Sequence, residues 1–296
     1  MGKVGAIIGI IFLSWLLYSA YFVMNFSPTV RGEWGPMEGN NVEIIFHVDL
    51  GNPSPIPVAV QSLNLSLAGV EIGRIEQAKI GIFERSTNVV AVVNLDKIAE
   101  ALVNHIKDKE NSIAEINANI KVLGFIPIKY SKTIPVKTNI LSFLQNVTAE
   151  PRVYSLGMIP FKTPGIEGIY ARWGKVSTKE IELVGTIKLY NPNSFPIPVT
   201  NLKADMYMNN IKIGEGRTLK GTILQPNSRG TVDVALTFDV EKLKEAFKEH
   251  IRNGERSTVK VDIELVVEVG GAEYEVPIKD IETTFETNIL SGIKFA

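Results

Sequence analysis

Asn52-Pro53-Ser54-Pro55-Ile56-Pro57-Val58 and Asn191-Pro192-Asn193-Ser194-Phe195-Pro196-Ile197-Pro198-Val199 are two versions of one stretch of sequence. In both versions an alternating apolar run ends in Asn-Pro, and a new run begins with Pro-Ile-Pro-Val. Proline lacks the N–H that a central strand donates, and asparagine tolerates turn geometry. The stretch therefore predicts a turn between two strands. Its return in the second half of the chain predicts that the fold is built twice.

Further matches surround both versions in the same order along the chain. They pair Trp34-Gly35 with Trp173-Gly174, Val70-Glu71-Ile72-Gly73 with Ile211-Lys212-Ile213-Gly214, His105-Ile106 with His250-Ile251, and Thr138-Asn139-Ile140-Leu141 with Thr287-Asn288-Ile289-Leu290. An ordered series of matches is more specific than any one motif, so we expect two homologous domains.

The local pattern in each copy is mostly that of β-strands. Val42 to Leu50 alternate apolar and polar residues, which predicts a strand with one buried face. One segment per copy, beginning at Asp96 and at Asp239, instead spaces its apolar residues as a helix does, behind an aspartate that can cap it. The predicted fold class is mainly β, with two tandem fibronectin type III-like (immunoglobulin-like) β-sandwiches that each carry one amphipathic α-helix.

The N-terminus predicts a membrane anchor. Residues 4–24 carry no charge, and at about 1.5 Å per residue such a helix is long enough to cross a bilayer. A cleaved signal peptide is the alternative, but cleavage after Ala20 would place Tyr18 where a small residue is needed. Lys3 before the helix favours a cytoplasmic N-terminus, and hence a single-pass protein with an extracytoplasmic body.

The predicted organisation follows from the anchor and the repeat. Residues 1–25 form the transmembrane anchor, 26–150 the first β-sandwich domain, 151–168 a linker rich in proline and glycine, and 169–296 the second β-sandwich domain. A short strand is possible at Val153 to Leu156 within the linker.

Composition argues against most catalytic chemistry. The chain has 31 Lys+Arg against 32 Asp+Glu, no cysteine and three histidines. It therefore offers no electrostatic basis for nucleic-acid binding, no thiolate and few imidazoles. We expect no enzyme activity, no catalytic residue, no cofactor and no metal site. His47 is expected on a solvated strand face, His105 and His250 at the negative end of a helix dipole, and Trp34 and Trp173 in the core.

The Asn-Pro stretch, the Pro-Ile-Pro-Val that follows it and the Ile-x-Ile-Gly motif together resemble the water stress and hypersensitive response (WHy) domain of late embryogenesis abundant proteins. The likeness spans Trp34 to Leu141 and Trp173 to Leu290, and Ser54 departs from it where the second copy has Asn193. It implies the sandwich fold, no enzymatic activity, a protective role in desiccation, heat or cold, and a lipid-holding groove beneath the helix. The structural motif positions are Asn52, Pro53, Pro55, Pro57, Asn191, Pro192, Asn193, Pro196 and Pro198.

Three functions are therefore open. The first is a membrane-anchored, chaperone-like stress-protection protein whose partners are membrane lipid, through the N-terminal helix, and unfolded client proteins. The second is a module that binds or transfers a lipid or another hydrophobic ligand at the membrane. The third is a structural or adhesion protein, because tandem sandwiches are common in that class.

Overall fold

The computed structural model describes residues 3–25, 29–75, 78–144, 147–156, 159–269 and 272–287. The chain is mainly β, as predicted. It divides into two compact units. The first consists chiefly of Met1–Ala101 and Ser112–Val136, and the second of Leu102–Asn111 and Lys137–Thr287.

The first unit is built on one antiparallel sheet of eight strands. The strands run in the spatial order β1-β2-β6-β4-β3-β7-β8, and β5 pairs with the start of β3. Their bounds are β1 (Thr29–Glu38), β2 (Asn41–Asp49), β3 (Val58–Leu67), β4 (Val70–Ile75), β5 (Ala78–Ile80), β6 (Ser86–Asn94), β7 (Asn111–Val122) and β8 (Ile126–Lys137).

The second unit carries a sheet of seven strands in the order β11-β12-β17-β15-β14-β18-β19, with two further pairs, β9-β10 and β13-β16. Position by position, this is the strand order of the first sheet. The bounds are β9 (Val153–Leu156), β10 (Ile159–Lys162), β11 (Gly165–Val176), β12 (Glu180–Tyr190), β13 (Ile197–Val199), β14 (Asn201–Met208), β15 (Ile211–Lys220), β16 (Thr222–Leu224), β17 (Arg229–Asp239), β18 (Arg256–Val269) and β19 (Ala272–Glu286).

The two sheets also share irregularities that explain the repeated glycines. Each first strand has a β-bulge directly after its tryptophan, Trp34 or Trp173. A Cβ on Gly73 would lie 2.9 Å from the carbonyl oxygen of Val92, and a Cβ on Gly214 would lie 2.9 Å from that of Thr237. The Ile-x-Ile-Gly motif therefore marks the place where a neighbouring strand approaches too closely for a side chain.

Each predicted amphipathic helix is present: α2 spans Leu95–Lys107 and α3 spans Val240–Arg252. The Asp239 side chain caps α3 by accepting a hydrogen bond from the Lys242 N–H, as predicted. The prediction that Asp96 caps α2 is wrong, because α2 begins at Leu95 and Asp96 lies within its first turn. Asn94 accepts the corresponding bond from the Lys97 N–H.

Helix α3 covers part of the inner face of the second sheet. Met206, Ile213 and Ala246 form a buried cluster between the helix and strands β14 and β15. Apolar side chains therefore fill the space beneath α3, where the family likeness led us to expect a lipid-holding groove.

The predicted linker contains folded structure. The expected strand at Val153–Leu156 is confirmed, and it forms a hairpin with β10. A short 3₁₀-helix, Ile140–Leu144, precedes it. Ala149 and Phe161 are buried in the main core cluster of the second unit, so this region closes one part of that core.

The N-terminal helix α1 spans Lys3–Met24. Its side chains are described from Ile7 to Phe22 and at Met24, and most of the large apolar ones are exposed. In the described part of the chain no helix is both long and apolar enough to cross a membrane, so the predicted transmembrane helix is not found there.

Candidate functional site

The Asn-Pro loop of the second unit is organised by one buried amide. Asn191 is fully buried, and its Nδ2 donates to the carbonyl oxygens of Phe195, Leu224 and Gln225 at 2.9, 3.1 and 3.1 Å. Its Oδ1 accepts hydrogen bonds from both the backbone N–H and the side-chain amide of Asn193, each at 2.9 Å. The asparagine thus joins the loop to the segment before β17.

Asn193 extends this network to the hairpin that precedes the second sheet. Its Oδ1 accepts from the Lys162 N–H at 2.9 Å, and its Nδ2 donates to the Lys162 carbonyl at 2.7 Å. The side chain therefore pairs with β10 as a neighbouring strand would. Through this pair, the Asn-Pro loop holds the β9-β10 hairpin against the second unit.

The prolines of the motif have structural positions. Pro198 lies in the short strand β13 between two buried residues, Ile197 and Val199. Pro196 is exposed and Pro192 is half-buried. A proline is tolerated in β13 because this strand pairs only with the three-residue strand β16.

The first unit builds its loop differently, where the sequence departs from the family motif. Ser54 occupies the place of Asn193 and is fully buried, but its hydroxyl donates within the loop, to the Ile56 carbonyl at 2.6 Å. Its backbone pairs with the next turn, because Ser54 accepts from the Phe83 N–H and donates to the Glu84 carbonyl. Among the residues that the structure describes, Ser54 makes no hydrogen bond to a preceding segment of the kind that Asn193 makes to Lys162.

Helix α1 lies on this first loop instead. The Trp15 indole N–H donates to the Pro55 carbonyl at 3.0 Å, and the Tyr18 hydroxyl donates to the Pro53 carbonyl at 2.7 Å. Beside these contacts lies an open apolar groove of about 600 Å³, lined by Ile8, Ile11, Phe12, Trp15, Tyr18 and Phe83 among others. The predicted motif residues Pro53 and Pro55 thus act through their carbonyl oxygens, while Asn52 is half-buried and Pro57 accepts from the Leu123 N–H.

Phe83 and Asn227 occupy matching places in the turns that pair with the two Asn-Pro loops, before β6 and before β17. Each donates its N–H to the third residue of the motif, Ser54 or Asn193. Each has a positive φ, 64° for Phe83 and 49° for Asn227. Asparagine adopts this backbone region readily, whereas a bulky side chain is an outlier there. Sequence inspection did not find this feature, because neither residue belongs to the recognised motif.

The outer face of the second sheet is strongly charged. Glu215, Asp205, Asp262 and Asp280 lie in register on four adjacent strands. Lys212 bridges Asp205 and Glu215, and Lys260 pairs with Asp262. Asp205, Lys212, Glu215 and Asp262 line, with their neighbours, a polar hollow of about 710 Å³. Within the described residues, no group of three side chains is arranged to hold a metal ion.

Burial raises the pKa of the Glu264 carboxyl in this hollow, and the nearby carboxylates of Glu275, Asp205 and Asp262 raise it further. Lys203 acts in the opposite direction. The face therefore carries closely packed charges of both signs, most of them in ion pairs that are open to solvent.

The repeated histidines form buried His-Thr-Glu networks. In one network, His105 Nε2 lies 2.8 Å from Thr138 Oγ1, which donates to Glu110 Oε2 at 2.8 Å. In the other, His250 Nε2 lies 2.7 Å from Thr287 Oγ1, which donates to Glu255 Oε2 at 2.9 Å. The repeated threonines thus have a structural explanation, whereas Asn288, Ile289 and Leu290 lie outside the described residues.

Two observations show that His250 is not a charged side chain stabilised by the helix dipole, as we expected from the sequence. Burial lowers the pKa of this imidazole, so it is mainly neutral near pH 7. Its Nδ1 also lies 2.8 Å from Ser257 Oγ. A chain of bonds from Ser257 through His250 and Thr287 to Glu255 satisfies a neutral imidazole, with one nitrogen accepting and the other donating. Hydrogen bonding, rather than a charge at the helix end, accounts for this position.

Glu110 and Glu255 were missed by sequence reasoning, although each follows its histidine by the same five-residue step. Both are buried and have positive φ values of 60° and 63°. Burial alone would raise the pKa of Glu110, but hydrogen bonds from the Ile140 N–H, Trp173 and Thr138 lower it below its usual value. The Trp173 indole donates to Glu110 Oε1 at 2.8 Å.

The two tryptophans and His47 are the remaining residues for which the sequence predicted a position. Trp34 and Trp173 are half-buried, so neither is the fully buried core residue that we expected. His47 is exposed, as predicted, and lies 3.0 Å from Glu33. The hydrogen bond to Glu33 is the main reason that the pKa of His47 is raised.

Comparison with known proteins identifies one domain family. Residues 186–280 match the family model described as late embryogenesis abundant protein. No curated protein matches the chain. Among solved structures, a protein from Archaeoglobus fulgidus is 28% identical, with 42% of this chain and 98% of that protein covered and a TM-score of 0.37.

The exo-chitosanase CsxA of Amycolatopsis orientalis aligns with 83% of this chain at 9% identity and a TM-score of 0.19, and only 26% of that enzyme is covered. At TM-scores this low, neither structural likeness supports a conclusion about fold or activity. The family match is more specific, because residues 186–280 extend from strand β12 to strand β19 and include helix α3. Residues 186–280 are therefore similar to the late embryogenesis abundant protein family.

Proposed function

We propose that this protein is a membrane-anchored, non-catalytic stress-protection protein that shields unfolding proteins near a membrane during desiccation, heat or cold. The observation that carries the proposal is the family match over residues 186–280. The same strand order in both sheets supports the extension to two WHy-type copies derived by duplication. In this proposal, each sheet with its helix is a fibronectin type III-like sandwich.

The proposed anchor is α1, with the body on the extracytoplasmic side. Ile8, Ile10 and Ile11 are 62, 65 and 63% exposed. Exposed apolar side chains of this number along one helix are unfavourable in water, by about 25 cal/mol for each Å². Contact with lipid would remove that cost. Lys3 would then remain on the cytoplasmic side.

The charged outer face of the second sheet supports a protective rather than a catalytic role. Its cations and carboxylates are paired with each other, as in the Lys212 and Lys260 contacts. Such a face stays hydrated and soluble while presenting charges of both signs to a partly unfolded client. Shielding a client protein with such a charged face requires no reactive side chain.

The test uses the full chain reconstituted in lipid nanodiscs together with a heat-labile client enzyme. Light scattering is followed during heating and after drying and rehydration. We expect the nanodiscs that carry the protein to reduce client aggregation. Empty nanodiscs, and nanodiscs carrying an unrelated protein on a single-helix anchor, are the controls. Equal aggregation in all three samples would contradict the proposal.

A second candidate, binding of a lipid or another hydrophobic ligand, is favoured by the apolar groove between α1 and Phe83. The space beneath α3 is a poorer place for a ligand, because Met206, Ile213 and Ala246 occupy it. Native mass spectrometry of gently purified protein tests this function. Bound lipid that is retained by the Ile213→Val variant and lost in the Phe12→Ala variant would support it, and a ligand-free mass in all samples would exclude it.

A further inference from the structure

The Asn52–Pro57 loop joins three apolar features at one end of the first unit. It accepts hydrogen bonds from Trp15 and Tyr18 of α1, and from the N–H of Phe83 in the turn between β5 and β6. Pro57 also accepts from the Leu123 N–H, at the tip of the β7-β8 hairpin. The helix, the turn and the hairpin tip therefore lie together.

Large apolar side chains are exposed at this end. Ile82 and Phe83 in the turn are 54 and 67% exposed, and Phe125 at the hairpin tip is 73% exposed. We call Ile82, Phe83 and Phe125 the apolar tip. Clustered exposed residues of this size indicate a contact surface, whereas scattered ones are ordinary.

The backbone at Phe83 gives an independent reason to assign a function to this tip. Its φ of 64° is unfavourable for a bulky side chain, and the matching residue of the second unit is asparagine, which tolerates it. The second unit shows that the turn can be built without strain. An aromatic side chain kept in a strained, exposed place is typical of a residue that contacts a partner.

We propose that the apolar tip inserts into the same phospholipid bilayer that holds α1, so that the first unit rests on the membrane with Ile82, Phe83 and Phe125 among the lipid chains. This inference rests on the membrane attachment proposed above. The bilayer is the favoured occupant because the loop beside the tip binds Trp15 and Tyr18, in the half of α1 that is nearer the body. Partial burial in lipid is the usual arrangement for apolar residues at a membrane interface.

The charges behind the tip fit this orientation. Lys121 and Lys129 lie on the two strands of the hairpin, two residues before Leu123 and four residues after Phe125. At about 3.3 Å per residue they are on the order of 7 to 13 Å behind the tip. With Phe125 among the acyl chains, both ammonium groups would lie at the depth of the lipid phosphates.

The chain has no cysteine, so a single probe can be placed at will. A Phe83→Cys variant of the full chain is labelled with an environment-sensitive fluorophore and reconstituted in vesicles of phosphatidylcholine and phosphatidylglycerol. The control is Phe195→Cys, because Phe195 is an aromatic residue of the Asn-Pro loop of the second unit and is 42% exposed. We expect a blue shift and a several-fold rise in emission at position 83, quenching there by brominated lipid, and neither effect at position 195.

A second pair of variants tests cooperation within the tip. A probe at Phe125→Cys is read with and without Phe83→Asn, the residue that the second unit uses, and circular dichroism checks that the fold is kept. We expect the substitution to reduce lipid quenching at position 125. Unchanged quenching there, or an aqueous spectrum at position 83, would overturn the proposal.

Flotation of the vesicles separates this inference from the proposed function. A chain that floats with vesicles while position 83 stays aqueous refutes tip insertion and leaves the anchor standing. A chain that does not float refutes both. Failure to protect a client, with lipid quenching intact at positions 83 and 125, refutes the stress-protection role alone.

Discussion

The two Asn-Pro loops share one sequence pattern, but different segments of the chain pack on them. In the second unit, Asn193 binds the backbone of Lys162 and so holds a hairpin on the loop. In the first unit, the Ser54 hydroxyl donates within its own loop and the Ser54 backbone pairs with Phe83 and Glu84, while α1 lies on the loop through Trp15 and Tyr18. The motif therefore builds a loop on which another segment of the chain packs. The segment that precedes each first strand, α1 in one unit and the β9-β10 hairpin in the other, is the one that packs there.

The largest expected difference between the loops concerns their first asparagines. Asn191→Ala removes a fully buried amide and leaves buried carbonyl groups without their donor. At about 1–3 kcal/mol for each unsatisfied group, we expect a loss of about 3–5 kcal/mol in the unfolding free energy of the second unit. Hydrogen exchange measured by mass spectrometry reads each unit separately.

Asn52→Ala is the matched control for that experiment. Asn52 is only half-buried, so we expect its replacement to cost less than about 1 kcal/mol in the first unit. Similar losses at Asn52 and Asn191 would show that the two loops are stabilised alike, which would contradict a special role for the buried Asn191 amide.

Unlike the two loops, the two His-Thr-Glu networks should contribute about equally to the unfolding free energy. Thr287→Val and Thr138→Val each remove a hydroxyl that bonds a buried carboxylate, and we expect each to cost about 2 kcal/mol of unfolding free energy. Denaturant titration of the full chain measures this loss. Thr287→Ser and Thr138→Ser keep the hydroxyl and should recover most of it. A large cost in one network alone would mean that the two are not equivalent.

An exchange between the two turns tests the backbone strain at Phe83. Phe83→Asn should raise the unfolding free energy by about 1 kcal/mol, because asparagine adopts a positive φ at a smaller cost. Asn227→Phe should lower it by a similar amount. Thermal denaturation in detergent micelles checks both variants. A destabilised Phe83→Asn variant would show that the phenyl ring stabilises the first unit by packing within it.

The smallest expected effect is a pH dependence of opposite sign in the two units. Burial lowers the pKa of His250 from its ordinary 6.5, so its contribution is complete above that pH and is lost as the pH falls toward the folded pKa. The bond to Glu33 raises the pKa of His47, so its contribution is complete below 6.5 and is lost as the pH rises through the folded pKa.

Proton NMR can read both titrations, because the chain has only three histidines to assign. We expect the His250 signal to titrate below pH 6.5 and the His47 signal above it. Replacing His250 with glutamine should remove the acid-side loss of stability and leave the His47 titration unchanged. A His250 signal that titrates above 6.5 would contradict the neutral, hydrogen-bonded imidazole described here.

Local sequence patterns predicted a large part of the fold. The alternating runs predicted strands, the helical spacing predicted α2 and α3, and the ordered matches predicted that the two sheets share one strand order. The cap of α2 was assigned two residues too late, because Asn94 and Asp96 are both capable of capping and only the helix start separates them. The candidate site was less predictable. Phe83 has no sequence signal, since a positive φ is recognised only from the backbone.

The sequence by itself determined the repeated order of elements, the mainly β class, the turns after Asn52 and Asn191, and the apolar character of α1. It could do so because strand alternation, helical spacing and proline geometry depend on residues that are close along the chain. Only the tertiary structure decided that Asn193 meets Lys162, that α1 lies on Pro53 and Pro55, and that each buried histidine reaches a distant threonine. These contacts join segments separated by tens of residues, and no local pattern specifies which of several chemically suitable partners a side chain meets when the chain folds.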